Sequence, residues 1–328
     1  MPIFQIVVEE KEKQQEVLFG NMQNENWVKY TNGNYSVFLN LKNGTKIREN
    51  EESFFNAEFP ESADVKITNR CSNGCAFCHE GSTKDGKHSD ALHSPVWESF
   101  HPYTEVALGG GNLMEYPDFV PLLERLKTLK LIPNITVHQW DFEKNFDLIK
   151  KLSDEKLIYG LGVSLDKVTP DFIDKMKQFP NGVIHVINGI VTGVQLRALA
   201  HNDLKILILG YKNVRRGSNL YHSNVGYAID GRKDLMYDRL EEILKENWFK
   251  VVSFDNLAIK QLKPQRLVSE DYWKTCFMGE DYNTMTSASM YIDLVENEFA
   301  RNSCDVDHRF KIEDKTVTEM YQFLKGLK

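Results

Sequence analysis

The sequence predicts an α/β protein built on a whole or partial (β/α) barrel. Three observations lead there. From Asp64 to Phe254, seven short apolar or β-branched runs alternate with stretches of helical periodicity, and alternating β and α units imply parallel strands with right-handed crossovers. Before Asp64 the signal changes: the Asn32-Gly33 and Asn43-Gly44 pairs mark hairpins rather than crossovers. The composition, 41% hydrophobic and 27% charged over 328 residues, suits one large core with appendages. The expected organisation is a β-rich segment over 1–62, the barrel over 63–256, and a C-terminal hairpin and helix cap over 257–328.

In the first segment, strands are expected near Trp27–Thr31, Tyr35–Leu41 and Thr45–Arg48. A type I′ turn needs positive φ at both central residues, which Asn-Gly accepts. The aromatic residues Trp27, Tyr35 and Phe38 would dock this meander on the main body, as a lid or scaffold. Barrel strands are expected at Asp64–Thr68, Glu105–Leu108, Ile135–His138, Leu157–Leu165, Val183–Ile187, Lys205–Leu209 and Val251–Phe254. Between them lie helical stretches at Tyr116–Lys130, Glu143–Leu152, Pro170–Gln178, Val191–Ala200 and Asp234–Glu246. Phe119, Leu122, Leu123 and Leu126 recur at helical spacing in the first. In the tail, Ser289–Val295 and Glu298–Asn302 read as a hairpin. Thr316 with Glu319 forms a capping box for a final amphipathic helix.

The chemistry concentrates in Cys71-Ser-Asn-Gly-Cys75-Ala-Phe-Cys78, a C-x3-C-x2-C run directly after the first barrel strand. Active sites of such barrels sit at the C-terminal ends of the strands, where this loop lands. Gly74 lets the loop curl so that three sulfurs face one region. Clustered thiolates select zinc, copper(I) or an iron–sulfur cluster. A full iron–sulfur site usually takes four thiolates, so three leave one iron open, and an open position marks a catalytic metal. The alternative is a non-catalytic, zinc-stabilised Cys3His binding protein, with His79, His88 or His93 as the fourth ligand. Structural zinc sites, however, usually pair two short Cys spacings, and no second pair occurs here.

This spacing, with aromatic Phe77 before the third cysteine, resembles the signature of the radical SAM superfamily. The resemblance implies a partial (β/α) barrel and a [4Fe–4S] cluster held by Cys71, Cys75 and Cys78. It also implies S-adenosylmethionine (SAM) bound at the open iron. An electron from a donor such as flavodoxin or ferredoxin would split SAM. The resulting 5′-deoxyadenosyl radical would take a hydrogen atom from the substrate. The second strand ends in Gly109-Gly110-Gly111-Asn112, where the superfamily carries a Gly-Gly-Glu motif that holds the SAM amino group. Asn112 replaces the acid; backbone carbonyls and the Asn112 side-chain oxygen are the expected acceptors. The fourth strand ends in Ser164-Leu-Asp166. Both polar residues are expected on one side of the strand, as SAM contacts, with solvated side chains beside a Thr169 helix cap as the other reading. Phe77 and Asn188 complete the expected cofactor contacts. His138 and Gln139 at the third strand's end are either contacts or structural residues.

Lys212, Arg215 and Arg216, after the sixth strand, could bind a substrate carboxylate or phosphate, or form a solvated loop. Five cysteines, three of them clustered, do not make a disulfide framework. Cys276 and Cys304 are expected as free thiols, with Cys276 a small buried hydrophobe. A net charge of −7 does not favour general nucleic-acid binding. No signal peptide and no bilayer-length apolar run are read, so a cytoplasmic, non-membrane protein is expected. A peptide or a nucleotide or small metabolite is expected as substrate ahead of RNA. Oxidoreductase, transferase and lyase outcomes all stay open.

Overall fold

A computed structural model describes residues 4–7, 26–52, 54–276 and 288–327. The strands are β1 (Phe4–Val7), β2 (Trp27–Asn32), β3 (Tyr35–Asn40), β4 (Lys46–Glu49), β5 (Ser62–Thr68), β6 (Glu105–Gly110) and β7 (Ile132–His138). They continue with β8 (Gly160–Ser164), β9 (Gly182–Ile187), β10 (Lys205–Leu209), β11 (Val251–Phe254), β12 (Ser289–Asp293), β13 (Glu298–Ala300) and β14 (Phe310–Lys311). The helices are α1 (Phe119–Thr128), α2 (Gln139–Lys144), α3 (Phe146–Asp154), α4 (Pro170–Lys177) and α5 (Gly193–Leu199). Then come α6 (Arg215–Tyr221), α7 (Gly226–Lys245), α8 (Asn256–Leu262), α9 (Glu270–Cys276) and α10 (Val317–Gly326). Among the described residues, no helix is long and apolar enough to cross a membrane.

The main sheet runs in the order β1-β11-β10-β9-β8-β7-β6-β5-β12-β13-β14. Strands β5 to β11 are parallel neighbours in chain order, the arrangement of a partial (β/α) barrel. Alternate strand residues divide the work, because side chains alternate across a sheet. Val106, Leu108, Ile184, Val186, Ile206 and Ile208 are buried in the hydrophobic core. Their strand neighbours Ala107, Gly109, Val183, His185, Leu207 and Leu209 line an interior cavity. On α1, the expected Phe119, Leu122, Leu123 and Leu126 are the buried stripe, each worth roughly 1.5–3 kcal/mol of apolar burial.

Pairing over long chain distances alters the expected picture at both ends of the chain. Phe4–Val7 joins the main sheet antiparallel to Val251–Phe254 instead of the meander. The first hairpin strand of the tail, β12, lies parallel to β5, with Ser289 opposite Ser62, so it extends the barrel sheet rather than only capping it. Neither pairing has a local signal, because partners this far apart share no turn. The final helix carries its capping box from Thr316 and Glu319. The stretch read as one helix over Glu143–Leu152 is broken at Asn145 into α2 and α3.

The meander β2-β3-β4 forms as expected, with one shift. Asn32 pairs with Tyr35, so the two-residue loop is Gly33-Asn34 rather than Asn32-Gly33. Asn32 is fully buried; its amide donates to the Phe59 carbonyl (2.9 Å) and accepts from Glu58 N (2.8 Å). Those bonds draw Asn32 into the strand. Gly33, at φ +62°, then takes the first turn position, where Gly is favoured. Ion pairs dock the meander at the N-terminal ends of the barrel strands. Lys46 lies 2.6 Å from Glu105 at the start of β6 and 3.3 Å from buried Glu61. Arg48 makes a two-pronged contact with the same Glu61, at 2.8 and 2.6 Å.

Candidate active site

A cavity of about 2560 Å³ fills the barrel. Typical small-ligand pockets hold about 300–1,000 Å³, so this one has room for more than one small molecule. Its wall includes Cys71, Cys75, Phe77 and Cys78, together with Gly109, Gly110, Gly111, Asn112 and Ser164.

The cysteine loop is held from several sides. Cys71 N donates to Thr83 O (2.8 Å) and Cys78 N to Cys75 O (3.2 Å). Gly74, at φ +65°, makes the expected curl. Asn73 donates to Asp141 (2.6 Å), and Ser72 N donates to Glu115 (3.0 Å). Arg216 reaches back from α6 and donates to the carbonyls of Cys75 (3.1 Å) and Ser82 (2.7 Å). Burial, and then the neighbouring Cys78 and Cys71 thiols, push the Cys75 thiol up to about 11. Burial is likewise the main cause raising Cys71, with Cys78 adding to it. Thiolates are the form that binds metal, so a cation bound at this loop would favour the charged form that burial opposes. Among the described residues, no three His, Cys, Asp or Glu side chains converge on a single metal ion. Of the histidines considered as a fourth ligand, His88 sits 2.8 Å from Thr68 Oγ1 and His93 pairs with Asp90 at an exposed site. Only His79 lines the cavity.

The three glycines have different jobs. Gly111 N donates to Thr68 O (2.7 Å) and Asn112 N to Arg70 O (2.8 Å), so this turn is stitched to the segment entering the cysteine loop. A Cβ on Gly110 would sit 2.4 Å from Thr68 O and 2.5 Å from Lys66 Cγ, at φ +105°. One on Gly111 would sit 2.1 Å from Arg70 O. At Gly109 a Cβ would meet nothing within 4 Å. Gly110 and Gly111 thus permit close backbone approach, and of these three wall glycines Gly109 is the one with room for a side chain.

Other expected positions divide likewise. The Asn112 side-chain oxygen accepts from Met114 N (3.0 Å), and its amide donates to Asp141 (2.9 Å) and Glu115 (3.2 Å). The side chain caps the short helix Leu113–Glu115 instead of presenting an uncommitted oxygen. Ser164 lines the cavity. Asp166 does not: β8 ends at Ser164, so strand alternation no longer places Asp166, and its carboxylate accepts from Trp140 Nε1 (2.9 Å). Thr169 caps α4. Asn188 is fully buried behind the wall and donates to Gln261 (2.9 Å). His138 lines the cavity, and Gln139 is buried and bridges to the backbone of Asp166 and Lys167.

Asp141, Lys66, Glu80 and His185 were missed from sequence, whereas Asp255 at the end of the seventh strand and Cys304 were read from it. Asp141, three residues past His138, ties Asn73 of the cysteine loop to Asn112; its place just beyond a strand's C-terminal end was the available signal. Lys66, only 3% exposed, lies 3.3 Å from Glu80 and 3.1 Å from Asp293. Burial would raise the Glu80 carboxyl, but His79, Lys66 and Lys212 bring it far below the ordinary range. His185 stands over Gly162, where a Cβ would lie 2.3 Å from its ring, and burial lowers it to about 4, so it is neutral at pH 7. Asp255 caps α8 and accepts from Gly210 N. Cys304 is a free thiol, raised by burial. The Cys276 side chain lies outside the described residues.

No protein-family model matches the chain, and no curated protein matches it in sequence. Solved structures do match. SuiB of Streptococcus suis bound to its precursor peptide SuiA aligns with TM-score 0.59 and 13% identity, covering 93% of this chain and 90% of that one. SuiB bound to SAM aligns with TM-score 0.58 and 14% identity, covering 91% of this chain and 87% of that one. At these identities the likeness is one of fold: this chain has the same partial-barrel architecture as SuiB.

Proposed function

We propose that the protein is a radical SAM enzyme acting on a peptide. The observation that carries the reading is a shared wall: the three cysteines and the open face of Gly109 line one cavity. Cys71, Cys75 and Cys78 would hold a [4Fe–4S] cluster. Three thiolates on one loop suit it, leaving one iron for SAM. Bound together, cluster and SAM supply a 5′-deoxyadenosyl radical by reductive cleavage, with flavodoxin or ferredoxin as the kind of electron donor.

The chain's own residues do the rest. Arg216, Asp141 and Glu115 fix the cysteine loop, so the thiolates are preorganised. Gly109 leaves space beside them for the methionine portion of SAM, and Ser164, across the wall, is a hydroxyl contact. Neutral His185 keeps charge out of the middle of the chamber. The meander, docked through Lys46 and Arg48, lines the N-terminal end of the cavity. A peptide is favoured as substrate because the cavity far exceeds the needs of SAM alone, and because SuiB, with the same fold, binds a precursor peptide. A nucleotide or small metabolite is the second reading.

The test is anaerobic reconstitution with iron and sulfide, followed by reductant and SAM. The protein should turn brown and release 5′-deoxyadenosine even without its substrate. A colourless protein holding one zinc, or SAM binding without any 5′-deoxyadenosine, would overturn the assignment.

A further inference from the structure

Three basic residues follow β10, and the structure separates their roles. Arg216 is engaged by the carbonyls of Cys75 and Ser82. Arg215 donates to the Glu80 carbonyl (2.7 Å) and lies 3.4 Å from its carboxylate. Lys212 is different. Its Nζ lies 3.1 Å from His79 Nε2 and donates to Ser303 Oγ at 3.1 Å. Neither partner is a carboxylate, and among the described residues no carboxylate oxygen forms an ion pair with it. An ammonium has three protons in fixed tetrahedral array, so at least one is uncommitted. Lys212, His79 and Ser303 all line the cavity.

Nearby carboxylates are already matched. Glu80 faces Lys66 and Arg215, and Asp293 faces Lys66. Asp255, which feels the Lys212 charge, is held by Gly210 N and Ala258 N. Lys212 is a cation that this wall offers, beside the cysteine loop, to something entering the cavity. A single ammonium beside a hydroxyl suits one carboxylate; phosphate recognition more often recruits guanidinium forks, and both arginines here are occupied. Gly109 stands on β6 and Lys212 follows β10, with β7, β8 and β9 between them in the sheet. Yet Lys212 Nζ stands 3.1 Å from His79, the neighbour of Cys78, so a substrate carboxylate and the carboxylate of SAM are both sources within its reach, and the SAM arm of the experiment separates them.

We propose that Lys212 anchors a carboxylate of the substrate, the side chain of an acidic residue in a peptide. This rests on the peptide reading above and narrows it to acidic peptides. The experiment uses the anaerobically reconstituted protein with SAM. Two C-terminally amidated decapeptide pools are randomised without Asp or Glu, one with Glu and the other with Gln fixed at the centre. Retention of each pool is measured by equilibrium dialysis and mass spectrometry. The wild type should retain the Glu pool about tenfold better, the scale of one charge-assisted hydrogen bond. Lys212→Met should retain both pools equally, with SAM affinity unchanged. Equal retention by the wild type, including retention of neither pool, overturns the proposal. So does an undiminished preference in Lys212→Met. A loss of SAM affinity in that variant would assign the lysine to the carboxylate of SAM and also overturn it. The dialysis needs no turnover, so its failure is distinct from a failure to make 5′-deoxyadenosine, which counts against the enzymatic reading alone.

Discussion

Arg216 Nε lies 3.1 Å from the backbone oxygen of Cys75, across 141 residues of chain. The guanidinium thus locks the middle of the cysteine loop to the N-terminal turn of α6, with a second bond to Ser82 O at 2.7 Å. Hydrogen bonds from a charged donor contribute about 1.5–3 kcal/mol each. Arg216→Ala should keep the fold, as judged by circular dichroism, yet lose iron to a chelator several-fold faster than the wild type. Equal rates of iron loss would show that the loop is held without it.

Substitution in the glycine run should separate folding from cofactor binding. Gly109→Val should fold normally and lose SAM affinity at least tenfold, since its side chain enters open cavity. Gly110→Val meets Thr68 O and Lys66 instead, at a φ that disfavours side chains. It should cost about 2 kcal/mol or more in stability. Thermal melts and SAM titration of both variants decide this. Matching melting temperatures for the two would count against the division.

Iron content tests the metal assignment. About four irons per chain are expected after reconstitution if the cluster is cubane. Replacing Cys71, Cys75 and Cys78 together by Ala should abolish iron, while Cys304→Ala should retain all of it. Substantial iron in the triple variant would reveal a second binding site.

Acid stability should report on Glu61. Burial alone would raise its carboxyl, but Lys46 and Arg48 lower it to about 2 from an ordinary 4.5. As pH falls, the unfolded chain therefore takes up this proton first. The contribution, about 3 kcal/mol, is complete above pH 4.5 and lost as pH falls from there towards 2. Glu61→Gln should destabilise the protein at pH 7 by about 3–5 kcal/mol, because it leaves Arg48 buried without its carboxylate. It should also flatten the stability profile between pH 4.5 and 2. Denaturant titrations across that range provide the check.

The sequence by itself determined the features whose signals are local. Lys205–Leu209 and Val251–Phe254 are strands at the expected residues, because a buried parallel strand announces itself as a short apolar run. The α1 stripe and the Thr316 cap follow from helical spacing and from a side chain three residues from its partner. The C-x3-C-x2-C run and the glycine turn likewise lie within a few residues each, and their chemistry is a matter of residue type. Tertiary structure alone decided which of these residues face the cavity. Gly109 is open and Gly110 is closed because of Thr68 and Lys66 on the neighbouring strand. Asn188 is buried, and its amide finds its acceptor in Gln261 of α8, 73 residues away. Arg216 became a clamp, and Lys212 a neighbour of His79, only when the segment after β10 packed on a loop some 140 residues earlier. The pairing of β12 with β5, and of β1 with β11, belongs to the same class. Such contacts are selected by the summed burial and hydrogen bonding of the whole barrel, and no window of neighbouring residues contains that sum.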